Sequence, residues 1–248
     1  MGQTKCSKRV ILLDEIRGFA ILCMVVYHTM FQLKYSFGVN VPIFFEGWFD
    51  IIRDFFAGVF IFISGAMCRF SRNNLRRGVQ CFFLGMVITF VTPFFSEWTI
   101  DFGILHLLGI SMMIYGLFDE AFERIPAFAG ITLSVVFALF TWNVDKGYIG
   151  IPKLFEISLP QAAYNVRVLS PLGFCPDDYS AGDYFPVMPW IFVFLGGSYF
   201  GEWAKDDLLP RFFYNSHIKW LAAVGRHTIW IYLLHVPLIM LVCTLIFR

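Results

Sequence analysis

Apolar runs separated by short polar clusters set the pattern of this chain. Seven runs stand out, at about 10–33, 49–69, 77–96, 100–118, 126–143, 184–204 and 224–247. Each is near the roughly 20 residues that a helix needs to cross a hydrocarbon layer. Backbone groups in lipid must bond within their own segment, so the runs predict helices. Pro186 and Pro189 fall in the first turns of the sixth run, where proline is tolerated. Pro237 lies inside the seventh and predicts a kink. No repeat and no low-complexity linker divides the chain. The expectation is an all-α integral membrane protein, a bundle of about seven transmembrane helices forming a single domain over 1–248.

Composition strengthens this reading. Of 248 residues, 58% are hydrophobic and only 15% charged, against roughly 25% charged in a soluble domain. Mean hydropathy is +0.68. The 31 phenylalanines read as lipid-facing bulk. Lys5, Lys8 and Arg9 precede the first run, but Asp14, Glu15 and Arg17 interrupt it and no small-residue cleavage site follows. The first helix is therefore expected to be retained rather than cleaved as a signal. The six cysteines lack the paired spacing of a disulfide framework or a zinc site, and no metal site is expected.

A net charge of +1 says little, whereas the placement of the charges sets an orientation. With the N-terminus inside, the cytoplasmic segments carry Lys5, Lys8, Arg9, Arg69, Arg72, Arg76, Arg77, Arg124, Lys205, Arg211, Lys219 and Arg226. The outer segments carry Lys34, Lys146, Lys153 and Arg167, with Arg248 at the end. The positive-inside rule then places the N-terminus in the cytoplasm. Nucleic-acid binding has no support, since neither a basic domain nor a recognition motif is present.

The same orientation sorts the polar residues within the runs. His28, Arg53, Asp54, His106 and Asp183 fall in the outer half, and His235 lies near the middle of the seventh span. Asp14, Arg17 and Ser64 fall toward the cytoplasm, where Arg69, Arg72, Arg76, Arg77 and Arg226 form a rim. Arg53 and Asp54 read as an ion pair. At 100° per residue, Arg17 and His28 share one helix face to within about 20°, roughly 16 Å apart along the axis. Asp14 lies one turn before Arg17 on that face, within pairing reach, and Glu15 points away from it. Ionisable groups inside a membrane are costly and mark sites or pathways.

Five stretches then carry a resemblance. LDEIRGFAILCMVVYH (13–28), FIFISGAMCRFSR (60–72), DFGILHLLGIS (101–111), DYFPVMPWIFVFLGG (183–197) and GRHTIWIYLLHVPLI (225–239) occur in that order. Together they resemble bacterial members of the heparan-alpha-glucosaminide N-acetyltransferase catalytic-domain family. They are also similar to the wider membrane acyltransferase family 3, whose first span carries an arginine and a histidine separated by ten residues. Arg17 and His28 have that spacing. The resemblance implies acyl transfer, typically of acetyl from acetyl-CoA, across the membrane to a sugar amine or hydroxyl. It makes His28 the catalytic histidine and assigns Arg17 to the acyl-CoA end. Asp14, Ser64, His106, Asp183 and His235 match motif positions without a fixed role.

The placement of these residues suits such chemistry. Acyl-CoA is cytoplasmic and anionic, and Arg69, Arg72, Arg76, Arg77 and Arg226 could hold its phosphates by bidentate contacts, with Asp14, Arg17 and Ser64 at the same end. The pantetheine arm would run along the Arg17–His28 stripe. His28 would act as general base, or carry the acyl group transiently. Asp183 or Asp101 could orient the acceptor or a histidine tautomer, and His106 or His235 could polarise the thioester carbonyl. The loop 144–183, with Trp142 and Tyr148 at its start and PDDY at 176–179, is the expected acceptor-recognition element. Expected partners are acyl-CoA, a sugar or glycoconjugate acceptor and the bilayer, with homodimerisation left open. The expected location is the inner (plasma) membrane. A proton-coupled small-molecule transporter stays open as the alternative, although carriers usually show an internal repeat.

Overall fold

The computed structural model describes residues 9–42, 47–94, 100–176, 179 and 183–247. Its helices, in chain order, are α1 (Ile11–Tyr35), α2 (Gly47–Ala66), α3 (Asn74–Val91), α4 (Ile104–Leu117), α5 (Asp119–Glu123), α6 (Ala127–Thr141), α7 (Gln161–Tyr164), α8 (Val187–Lys205), α9 (Lys219–Arg226) and α10 (Thr228–Phe247). A helix occupies each of the seven apolar runs. Among the described residues, four helical stretches are long and apolar enough to cross a membrane: Gly47–Phe70, Asn74–Phe94, Ala127–Lys146 and Thr228–Phe247. α4 is apolar but shorter, at 14 residues. α1 has 25 residues, with Asp14, Glu15 and Arg17 breaking its apolar character. α10 runs through Pro237 as one helix. In α8, Met188 is extended (φ −95°, ψ 130°), so regular helix starts at Pro189.

The chain packs as two compact units. Of the described residues, the first holds those up to Ile63 and those from Ala204 onward, and the second holds those between them, so α2 changes unit at Ser64. In the first unit α1 packs against α9 and α10. Gly18 and Gly225 make the α1–α9 approach close. A Cβ on Gly225 would fall 1.8 Å from the Asp14 carbonyl oxygen, and one on Gly18 would fall 2.2 Å from that of Leu221. No side chain fits at either position.

The second unit is built around α4. Ile104, Leu107 and Ser111 are fully buried, and Leu105, His106, Leu108, Met112 and Tyr115 nearly so. The first half of α4 is buried on all faces and needs partners that come close on every side, and glycine supplies one such partner surface. Gly78 and Gly85 on α3, and Gly109 and Gly116 on α4, are each two turns apart and so lie on one face. The helices run antiparallel, with Leu75 against Gly116, Gly78 against Met113, Phe82 against Gly109 and Gly85 against His106. The end of α2 meets α8 in the same way. A Cβ on Gly65 would fall 1.9 Å from the Phe194 carbonyl oxygen, and one on Gly201 would fall 2.4 Å from that of Ala66.

The stretch expected as a loop at 144–183 holds structure of its own, which amends the all-α expectation. β1 (Tyr148–Ile151) and β2 (Phe155–Ser158) form an antiparallel hairpin, with Tyr148 opposite Ser158 and Ile151 opposite Phe155. Gly150 is required there: its φ is +115°, and a Cβ would meet the Phe155 carbonyl oxygen at 2.0 Å. The hairpin packs on α6. Further along, Cys175 donates to the Tyr184 hydroxyl (2.8 Å), which donates to the Ser170 carbonyl (2.6 Å). Of the PDDY motif, Asp177 and Asp178 lie outside the described residues.

The α3–α4 contact generates a test. Gly109→Ala places a methyl 2.6 Å from the Phe82 backbone nitrogen and Cβ. It is expected to destabilise the protein by about 1–3 kcal/mol or more, measured as loss of thermal stability in detergent. An exposed helix glycine would gain stability from the same change.

Candidate functional site

In the first unit the start of α1 is an ionic cluster. Asp14 is buried and pairs with Arg9 (2.7 Å) and, as its i,i+3 spacing predicts, with Arg17 (3.4 Å). Glu15 is only 3% exposed. Its Oε1 accepts hydrogen bonds from the Ser216 hydroxyl (3.2 Å) and the backbone N–H groups of His217 and Ile218 (2.8 Å each). The last two precede α9, so a carboxylate of α1 serves as the N-terminal cap of α9. Sequence reasoning gave Glu15 no role, because its partners are backbone groups far along the chain. Arg226, at the other end of α9, is exposed.

Further along α1, His28 lies buried on the face that carries Arg17. It meets His235 of α10 edge to face, with ring centroids 5.0 Å apart. Two histidines separated by most of the chain thus come together in the low-exposure interior of one unit. Nδ1 of His235 lies 2.6 Å from the Tyr232 carbonyl oxygen. A carbonyl only accepts, so Nδ1 carries the proton, and Nε2 of the neutral ring is an acceptor. The Tyr27 ring stands at 87° to His28. The Tyr27 hydroxyl in turn accepts from Arg53 (3.2 Å), which pairs with Asp54 (2.8 Å) and Asp50 (3.3 Å). One turn beyond His28, Gln32 is buried and accepts from the Ser36 hydroxyl (2.6 Å). The pair therefore sits between a fixed cation on one side and neutral polar groups on the other.

In the second unit His106 and Asp183 come together at the start of α4. Nδ1 of His106 accepts from the Gly103 N–H (3.2 Å), and Nε2 lies 3.4 Å from the Thr89 hydroxyl. That hydroxyl donates its proton to the Ile100 carbonyl (2.5 Å). It can therefore only accept from His106, whose proton sits on Nε2. Asp183 is buried with its carboxylate beside Gly103, where the helix N-terminus favours negative charge. The Phe185 N–H bonds to the Phe102 carbonyl (3.2 Å), which fixes this junction. His106 thus spends both ring nitrogens on local structure, an arrangement that positions α4 and leaves little for polarising a carbonyl.

Arg69, expected in the cytoplasmic arginine rim, is buried. Its side chain is 4% exposed. It contacts Glu202 (3.1 Å) and Glu123 (3.4 Å), donates to the Ser198 carbonyl (3.2 Å), and lies between the Tyr115 and Tyr199 rings. A guanidinium compensated by two carboxylates is not free for a phosphate. Arg72, Arg76 and Arg77 are exposed, around the N-terminus of α3, where the Asn73 side chain accepts from the Arg76 N–H (2.8 Å). Ser64 is buried near the end of α2.

The family model described as heparan-alpha-glucosaminide N-acetyltransferase, catalytic, matches residues 9–237. No curated protein and no solved structure matches the chain.

The Glu15 cap generates a test. Glu15→Ala removes the acceptor of three donors and is expected to cost about 1–2 kcal/mol. Amide exchange at His217 and Ile218 should quicken accordingly, while Glu15→Gln, which keeps an oxygen, should retain most of the protection.

Proposed function

Since the chain belongs to the heparan-alpha-glucosaminide N-acetyltransferase catalytic family, we propose that it moves an acetyl group from acetyl-CoA to an amine or hydroxyl of a sugar-like acceptor, with His28 as general base. The family is one of membrane N-acetyltransferases, and it lends no support to the carrier that the sequence left open. The observation that carries the finer reading is the buried contact of His28 with His235 on the face that begins at Arg17.

In this reading the acceptor N–H or O–H faces His28. The acceptor's lone pair attacks the thioester carbonyl carbon while His28 takes the proton. The tetrahedral carbon collapses, the C–S bond breaks, and the proton returns from His28 to the departing CoA sulfur. The products are the acetylated acceptor and free CoA thiol. His235, its tautomer held by the Tyr232 carbonyl, fixes the His28 ring. Arg17, held by Asp14, and the exposed Arg226 supply positive charge at the other end of the stripe, suited to the CoA phosphates. Arg72, Arg76 and Arg77 are a second, separately testable set. Asp183 and His106 position their part of the second unit. We place the protein in an inner (plasma) membrane as seven spans with a cytoplasmic N-terminus, and treat 1–248 as one functional domain. A single family match running through both units supports that last point.

The test is CoA-thiol release by purified protein given acetyl-CoA and a panel of amino sugars. Release should require an acceptor, and His28→Ala should lower it by about 10²–10⁴-fold with unchanged elution on size exclusion. Acceptor-independent release, or full activity in His28→Ala, would overturn the assignment.

A further inference from the structure

The chain turns wholly basic near its end. From Leu208 onward the sequence contains no aspartate or glutamate, while Arg211, Lys219 and Arg226 are all exposed. Glu15 of α1 reaches this segment and is spent on the Ser216 hydroxyl and the His217 and Ile218 backbone, and Asp207, just before the segment, faces Tyr214. The three cations therefore have no acidic neighbour within their own stretch.

The same stretch shows apolar side chains to its surroundings. Leu208 is 67% exposed, Phe212 57% and Trp220 63%. α9 divides cleanly: Leu221, Ala222 and Gly225 are buried, the side that meets Gly18 and the Asp14 backbone of α1. Trp220 stands on the opposite side, with Lys219 and Arg226 on its flank. An aromatic on the outer face flanked by cations is the pattern of a helix lying in a membrane interface. Continuity decides the surroundings. α10, apolar and long enough to span, begins at Thr228, two residues after α9 ends. The segment before it therefore adjoins the end of a candidate span, and the ends of a spanning helix meet the headgroups.

We infer that residues 208–226 form an interfacial segment that binds anionic phospholipid: Phe212 and Trp220 enter the acyl boundary while Arg211 and Lys219 contact the lipid phosphates. Tryptophan suits this depth, with an apolar ring and one N–H donor. Each cation near an anionic surface strengthens association by a factor of about five. Glu15 and the Gly18–Gly225 contact hold the segment rigidly to α1, so bound lipid also braces the helix that carries His28.

The test reads lipid proximity rather than turnover, so it stands or falls apart from the transferase reading. The full chain and Trp220→Phe are reconstituted in phosphatidylcholine, and in equal parts phosphatidylcholine and phosphatidylglycerol. The difference between the two emission spectra isolates Trp220. Brominated phosphatidylglycerol is expected to quench that difference more strongly than brominated phosphatidylcholine at equal mole fraction. In Arg211→Gln/Lys219→Gln, with Arg226 left intact, the preference for phosphatidylglycerol should fall by roughly 25-fold, a factor of about five per cation removed. Size exclusion establishes that this variant remains folded. Equal quenching by the two lipids would overturn the inference. So would Trp220 emission quenched by aqueous iodide and untouched by either lipid, which would make this an aqueous face open to a protein partner.

Discussion

An ionised or hydrogen-bonding group removed from water must find its partner where it lies, because an unmet buried charge costs several kcal/mol. That constraint organises this protein. Glu15 gives its oxygen to three donors at the start of α9. Asp14 is held by two arginines. Arg69 is set between two carboxylates and two tyrosine rings. His106 uses one nitrogen on a backbone N–H and the other on a hydroxyl. In each case the group's chemistry is consumed by architecture. The His28–His235 contact differs, because there two imidazoles meet each other, one of them with its Nδ1 held by the Tyr232 carbonyl.

Close helix approach lets such groups reach each other. Carboxylate side chains are short, and Glu15 reaches the α9 backbone only because Gly18 and Gly225 remove the side chains that would hold the helices apart. In the second unit the glycines of α3 and α4 do the same for His106, whose ring lies against Gly85. Packing and polar pairing are thus one design: small residues bring backbones together, and the polar groups beside them are satisfied by those backbones.

Much of this was legible in the sequence. Hydropathy located a helix in every apolar run, and i,i+3 spacing predicted the Asp14–Arg17 pair. The 3.6-residue period put Arg17 and His28 on one face. What escaped depends on contacts between segments far apart in the chain. Nothing local says that His28 meets His235, or that Glu15 caps a helix some two hundred residues later. Arg69 looked like one more cation in a basic run. Its partners Glu123 and Glu202 lie far along the chain, and nothing local pointed to them. The hairpin at Tyr148–Ser158 escaped because four-residue strands carry too little alternation to register.

The central claim is that the buried histidine contact on the Arg17 face is where acetyl transfer occurs, with donor and acceptor arriving from opposite sides of the membrane. A sided assay in oriented proteoliposomes tests it most directly. Acetyl-CoA is supplied to the face bearing the N-terminus, the acceptor to either face, and acetylated acceptor is counted. The account predicts product only with the acceptor on the opposite face, and none in His28→Ala. Product formed equally from either face, or formed without His28, would contradict it.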